Sequence, residues 1–123
     1  MKQTFVISGR LPGYNELQGA KCWQASRRIK QDAMNRVLWA ARLARVKPVE
    51  EYPVTIQIEC VEPNKRRDQD NVQSGAKKVV LDALQQMGVL ANDNQKHIAD
   101  IICPKPSISK DNPRVEVTIW DNA

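Results

Sequence analysis

Residues 54–60 alternate strictly, with Val54, Ile56, Ile58 and Cys60 on one side and Thr55, Gln57 and Glu59 on the other. A period of two predicts a half-buried strand. Residues 4–8 and 115–120 carry the same signature, and residues 98–103 a weaker one. Two stretches repeat at helical spacing instead. In the first, Met34, Val37, Leu38, Ala41 and Ala44 fall at i, i+3, i+4 and i+7, which predicts a helix over 26–46 with Ser26 as its N-cap. In the second, Val72, Ala76, Val79, Val80, Ala83, Leu84 and Met87 share a face, which predicts a helix from Asn71 or Gly75 to Met87. Gly88 then supplies the stop. The Leu11-Pro12-Gly13-Tyr14-Asn15 stretch reads as a turn, and residues 104–113 as the longest loop. Strand, helix, strand, helix, strand, strand is the order of an α+β fold: one domain over residues 1–123, a small mixed β-sheet packed with two main α-helices.

Composition narrows the function classes. The 123 residues are 41% hydrophobic and 27% charged, ordinary globular usage rather than disorder. A formal net charge of +5 favours an anionic partner. The excess is concentrated, because residues 26–47 hold seven cations against the single acid Asp32. Such a helix can serve as a phosphate track, or simply as a solvated face. Aromatic residues make up only 5%, which argues against stacking platforms for unpaired bases. Three cysteines without a C-x-x-C spacing and one histidine exclude a zinc site of the usual kind. Cys60 reads as a small buried hydrophobe. No signal-peptide pattern and no apolar run near the roughly 18 residues of a membrane span are present, so a cytoplasmic location is expected and a membrane partner is not.

The densest chemistry lies in Asn64-Lys65-Arg66-Arg67-Asp68-Gln69-Asp70-Asn71. Three cations run into two carboxylates spaced i, i+2, a spacing that in extended chain aims both side chains the same way. Carboxylates are hard oxygen donors suited to Mg²⁺, which keeps several waters and is often held by one or two acids plus a substrate phosphate. A metal so placed polarises a phosphoryl oxygen and generates a nucleophilic water. The competing reading is plain: Asp68 and Asp70 cap a helix and pair with Arg66 and Arg67. Asp93, in the polar turn Ala91-Asn92-Asp93-Asn94-Gln95, is the candidate third acid, or a turn residue bonding its own backbone. Lys77 and Lys78 extend the positive field, and Lys78 has an i, i+4 partner in Asp82. His97 reads as a surface residue, not a general base.

Lys65-Arg66-Arg67-Asp68-Gln69-Asp70-Asn71, then Lys78-Val79-Val80-Leu81-Asp82-Ala83-Leu84, then Asn92-Asp93-Asn94-Gln95 resembles the RusA family of Holliday junction resolvases. Gly9-Arg10-Leu11-Pro12-Gly13-Tyr14-Asn15-Glu16 resembles the turn after that family's first strand. The resemblance implies a RusA-like fold and a homodimeric, Mg²⁺-dependent endodeoxyribonuclease, with Mn²⁺ as the alternative metal. It implies that four-way branched DNA is nicked in pairs during recombination or repair, in the cytoplasm of a bacterial cell or a phage-infected host. By the same resemblance Asp68, Asp70 and Asp93 hold the metal and, with Lys78, form the catalytic set. Arg27, Arg28, Lys30, Lys65, Arg66, Arg67 and Lys77 are the candidate DNA contacts. Two departures stand out. About four residues more than in the shortest family pattern, including Ser74 and Gly75, separate Asn71 from Lys78. Asn92 stands where a carboxylate often neighbours the third aspartate. Two other functions share these residues: a metal nuclease for flapped or otherwise branched DNA, and a basic DNA-binding accessory protein that does not cut.

Overall fold

The computed structural model describes residues 1–19 and 22–121. Five strands and three helices follow in the order β1 (Lys2–Ser8), α1 (Tyr14–Gln18), α2 (Trp23–Leu43), β2 (Val54–Glu62), α3 (Gln69–Gln86), β3 (Ile98–Ile102), β4 (Ser107–Ile108) and β5 (Arg114–Asp121). The fold is α+β, as its alternating and helical periods predict. The sheet runs β1-β5-β2-β3, with β4 pairing to the end of β2. β5 is antiparallel to both β1 and β2, whereas β3 and β4 run parallel to β2. Parallel pairing of β2 with β3 requires a crossover, and α3 is that crossover.

Helices α2 and α3 cover one face of the sheet. Phe5, Ile7, Ile56, Ile58, Val115, Val117 and Ile119 meet Val37, Ala41, Val79, Val80 and Leu84 in one continuous core. The central position of β2 corrects the half-buried strand expected for it. Thr55 and Val61, on its second face, are also buried, and the strand runs two residues further to a buried Glu62. Cys60 is interior as expected, and burial pushes its thiol up to about 12, with Cys103 and Glu62 adding to the effect.

Helix α2 starts one turn before the expected Ser26 cap. The Ser26 N–H donates to the Cys22 carbonyl at 3.2 Å, so Ser26 is a helical interior residue and Cys22 is the N-cap. At the other end Arg45 takes a left-handed φ of 58°. The Arg45 and Val46 amides bond back to the Arg42 and Ala41 carbonyls, a Schellman closure. Helix α3 closes the same way with Gly88 (φ 81°), whose amide bonds to Gln85 while that of Val89 bonds to Leu84. A Cβ in this conformation costs about 1 kcal/mol. Arg45→Gly is therefore expected to raise stability by roughly 0.5–1 kcal/mol, read as a higher urea midpoint with an unchanged slope.

Candidate active site

The chain leaves β2 at Glu62 and enters α3 at Gln69, and the intervening loop is anchored by Arg67. Its Nε and Nη2 donate to the two Glu62 carboxylate oxygens, both at 2.8 Å. Its Nη1 donates to the Leu11 carbonyl at 2.9 Å and to Glu16 at 3.2 Å. Burial alone would lower the guanidinium, but the Glu62 hydrogen bond and charge, with Glu16 adding, hold it above its ordinary value. Arg67 thus faces inward, unlike the exposed Lys65 and Arg66. Sequence reading grouped all three as phosphate contacts and missed Glu62. The signal was present: Glu62 continues the inward phase of 54, 56, 58 and 60, and a buried carboxylate needs a cation.

Asp68 is the N-cap of α3, its Oδ1 accepting the Asn71 N–H at 2.7 Å. Asp70 lies in the first helical turn and accepts from the Ser74 hydroxyl at 3.3 Å. The expected i, i+2 alternation of extended chain therefore gives way to a different arrangement. Both carboxylates stand at the amino end of a helix, whose unpaired N–H groups favour negative charge. Capping engages one oxygen of Asp68 and leaves carboxylate acceptor capacity over.

Segment 9–18 folds against this loop. The Asn15 amide donates to Asn71 Oδ1 at 2.7 Å, and the short α1 follows Gly13 where a plain turn was expected. The crossing is so close that a Cβ on Gly75 would stand 2.7 Å from the Gly13 carbonyl carbon and from the Tyr14 nitrogen. A glycine inside a helix here marks the passage of another backbone. Gly75→Ala is expected to cost about 1–3 kcal/mol or more by forcing the two segments apart, measurable as a lower thermal midpoint.

Asp70, Ser74, Lys77 and Lys78 fall on one side of α3, at i, i+4, i+7 and i+8. The rise of a helix puts Lys78 about 12 Å beyond Asp70. The additional turn thus leaves Lys78 on the Asp70 side of the helix but moves it outward, and Ser74 occupies the place a four-residue-shorter spacing would give to the lysine. Lys78 is exposed and lies 3.4 Å from Asp82, which Lys30 reaches across from α2 at 2.6 Å.

Asp93 sits at the tip of a turn shaped by its neighbours. Asn92 accepts the Asn94 N–H at 3.0 Å, and Asn94 accepts those of Lys96 and His97. His97 is half-buried, its Nδ1 2.7 Å from Asn94 and its ring edge-on to Tyr52. The turn brings Asp93 into a depression of about 220 Å³ with Tyr14, Ser74, Lys77, Lys78 and Asp82. Asp93 therefore shares a depression with Lys78 and Ser74, while Asp70 is linked to that depression through its bond from Ser74. Among the described residues no three His, Cys, Asp or Glu side chains gather closely enough to hold one ion.

Of the expected cations on α2, Arg27 and Arg28 are exposed and Lys30 is half-buried and tied to Asp82. Arg27 lies over the exposed Trp23, 5.8 Å from the ring centroid, and Arg42 over Trp39 at the same distance. Arg36 donates to the Ser8 and Arg10 carbonyls, so its charge serves the β1 end instead.

The family model described as Endodeoxyribonuclease RusA matches residues 20–120. The chain belongs to the RusA endodeoxyribonuclease family. No curated protein matches it. The RusA match spans the acidic loop, α3 and the Asp93 turn, whereas segment 9–16, which packs on that loop, lies outside it. RusA membership implies endodeoxyribonuclease activity, a branched DNA substrate and dependence on a divalent metal. No described helix is long and apolar enough to cross a membrane.

Proposed function

We propose that the protein is a homodimeric, Mg²⁺-dependent endonuclease that resolves four-way DNA junctions by paired symmetric nicks, in recombination or repair. The observation that carries this reading is the position of Asp68 and Asp70 at the amino end of α3, beside exposed Lys65 and Arg66, in a chain of an endodeoxyribonuclease family. The donor set fits the metal by its chemistry. Two carboxylates suffice for an ion that takes its remaining oxygens from water and a phosphate. Asp68 and Asp70 would hold the ion, which when bound supplies Lewis acidity and an activated water.

The chain's own groups do the rest. Lys65 and Arg66 draw the backbone toward the acids, and Arg27 and Arg28 receive a neighbouring arm. Lys78 and Asp93 both line the depression that Ser74 borders, where a lysine can neutralise charge developing on a phosphate oxygen. A two-fold dimer sets one such site on each of two equivalent strands, which is what symmetric nicking needs.

The test compares a synthetic four-way junction, a flap and a linear duplex, each with and without Mg²⁺. Symmetric nicks flanking the crossover, on the junction alone, are expected. Cutting of the flap in preference would select the broader branched-DNA nuclease, and binding without cleavage in every metal would select a non-catalytic accessory protein. Solution mass gives the dimer independently.

A further inference from the structure

We propose that the cleft Asp68 shares with Lys65 and Lys105 seats one nucleotide of the strand being cut, with Lys105 and Lys65 gripping the phosphate next to the scissile one. This rests on the nuclease reading above. The cleft measures about 260 Å³ and is lined by Asn64, Lys65, Asp68, Lys105, Pro106 and Ile108. Its walls divide by chemistry. Pro106 and the exposed Ile108 make an apolar side suited to a sugar and base edge. Lys65 and Lys105 bring positive charge, and Asp68, one of the two carboxylates proposed above to hold the metal, forms part of the wall.

Both rims are held in place before any ligand arrives. Lys105 is set between Pro104 and Pro106 in the connection from β3 to β4. Gln73 of α3 donates its side-chain amide to the Cys103 carbonyl at 2.8 Å and the Pro104 carbonyl at 3.0 Å. Beyond it β4 pairs with Val61 and Glu62, and the Ser109 amide bonds to the Glu62 carbonyl at 2.9 Å. The opposite rim is the loop that Arg67 clamps to the same Glu62. One buried residue thus fixes the distance between the two lysine-bearing segments, and that distance does not have to be formed on binding. Asp68 lines this cleft, so a nucleotide seated in it lies beside one of the two carboxylates proposed to hold the metal.

The test measures junction binding in an Asp70→Asn background, where cleavage does not interfere, across a series of salt concentrations. Lys105→Gln is expected to weaken binding about three- to tenfold and to reduce the slope of log affinity on log salt by about one. Lys105→Arg should restore both. Lys2→Gln is the control: it removes the same charge at the opposite end of the sheet, where Lys2 pairs with Trp120, and should leave the slope unchanged. In the cleaving protein Lys105→Gln should raise KM more than it lowers kcat. If Lys105→Gln and Lys2→Gln bind alike while the parent cuts DNA, this assignment is overturned and the nuclease reading stands. If the parent cuts no DNA with any metal, both fall.

Discussion

Asp70→Asn is expected to abolish cleavage of a four-way junction and to leave its binding intact or tighter. The substitution keeps the shape of the side chain and an oxygen that can still accept from Ser74. Asp70 is exposed in the first turn of α3, so no core contact is lost. The cost to the helix is the interaction of one carboxylate with the amino-terminal dipole, about 0.3–1 kcal/mol, which the fold tolerates. Catalysis has no such tolerance. If Asp70 is one of two protein groups holding the ion, its loss removes several kcal/mol of transition-state stabilisation, about a thousandfold or more in rate. Binding moves the other way, because a negative charge no longer faces the phosphates. Single-turnover cleavage with Mg²⁺ and a mobility shift without it read the two effects separately. A variant that cuts at the parent rate would remove Asp70 from the site.

Much of this was legible along the chain, and the failures have physical causes. The period-two run from Val54 predicted β2 because side-chain alternation is local. Its depth was not legible, since burial of Thr55 and Val61 depends on β5, β3 and β4 pairing on both sides. Ser26 misled as a cap because its side chain is a good N-cap anywhere, while the actual cap, Cys22, makes no side-chain cap bond. Helix α1 and strand β4 are too short to carry a period and exist through tertiary partners, Asn71 for the first and the end of β2 for the second. The aspartates themselves were readable from their spacing to the cations. Their backbone state was not, because a D-x-D pair can lie in extended chain or straddle a helix start. The placing of Asp93 and Lys78 around one depression was beyond any local rule. It follows from a turn built by Asn92 and Asn94 and from the return of the chain after Gly88.

Arg67→Met is expected to destabilise the protein by about 3–5 kcal/mol, the largest loss of stability for any residue near the site. Glu62 is only 3% exposed, and Arg67 satisfies both of its oxygens. Removing the arginine leaves a buried carboxylate with nothing to offset its desolvation, whereas removing both partners does not. The double variant Glu62→Leu with Arg67→Met should therefore recover most of the loss, and a urea-denaturation cycle over the four proteins would give the coupling. Near-additive effects would mean that the pair contributes no specific stability. Arg67→Lys separates holding the fold from aiming the site. A lysine keeps the charge but cannot make the two parallel bonds to Glu62 while also reaching Leu11 and Glu16. Arg67 immediately precedes the Asp68 cap, so loosening it lets the capping residue drift without unfolding α3. Displacement of a catalytic group by about 1 Å can cost on the order of a hundredfold in rate. Arg67→Lys should accordingly fold, bind junction DNA near the parent affinity and cut it far more slowly. Equal losses in binding and cutting would instead mark Arg67 as a DNA contact.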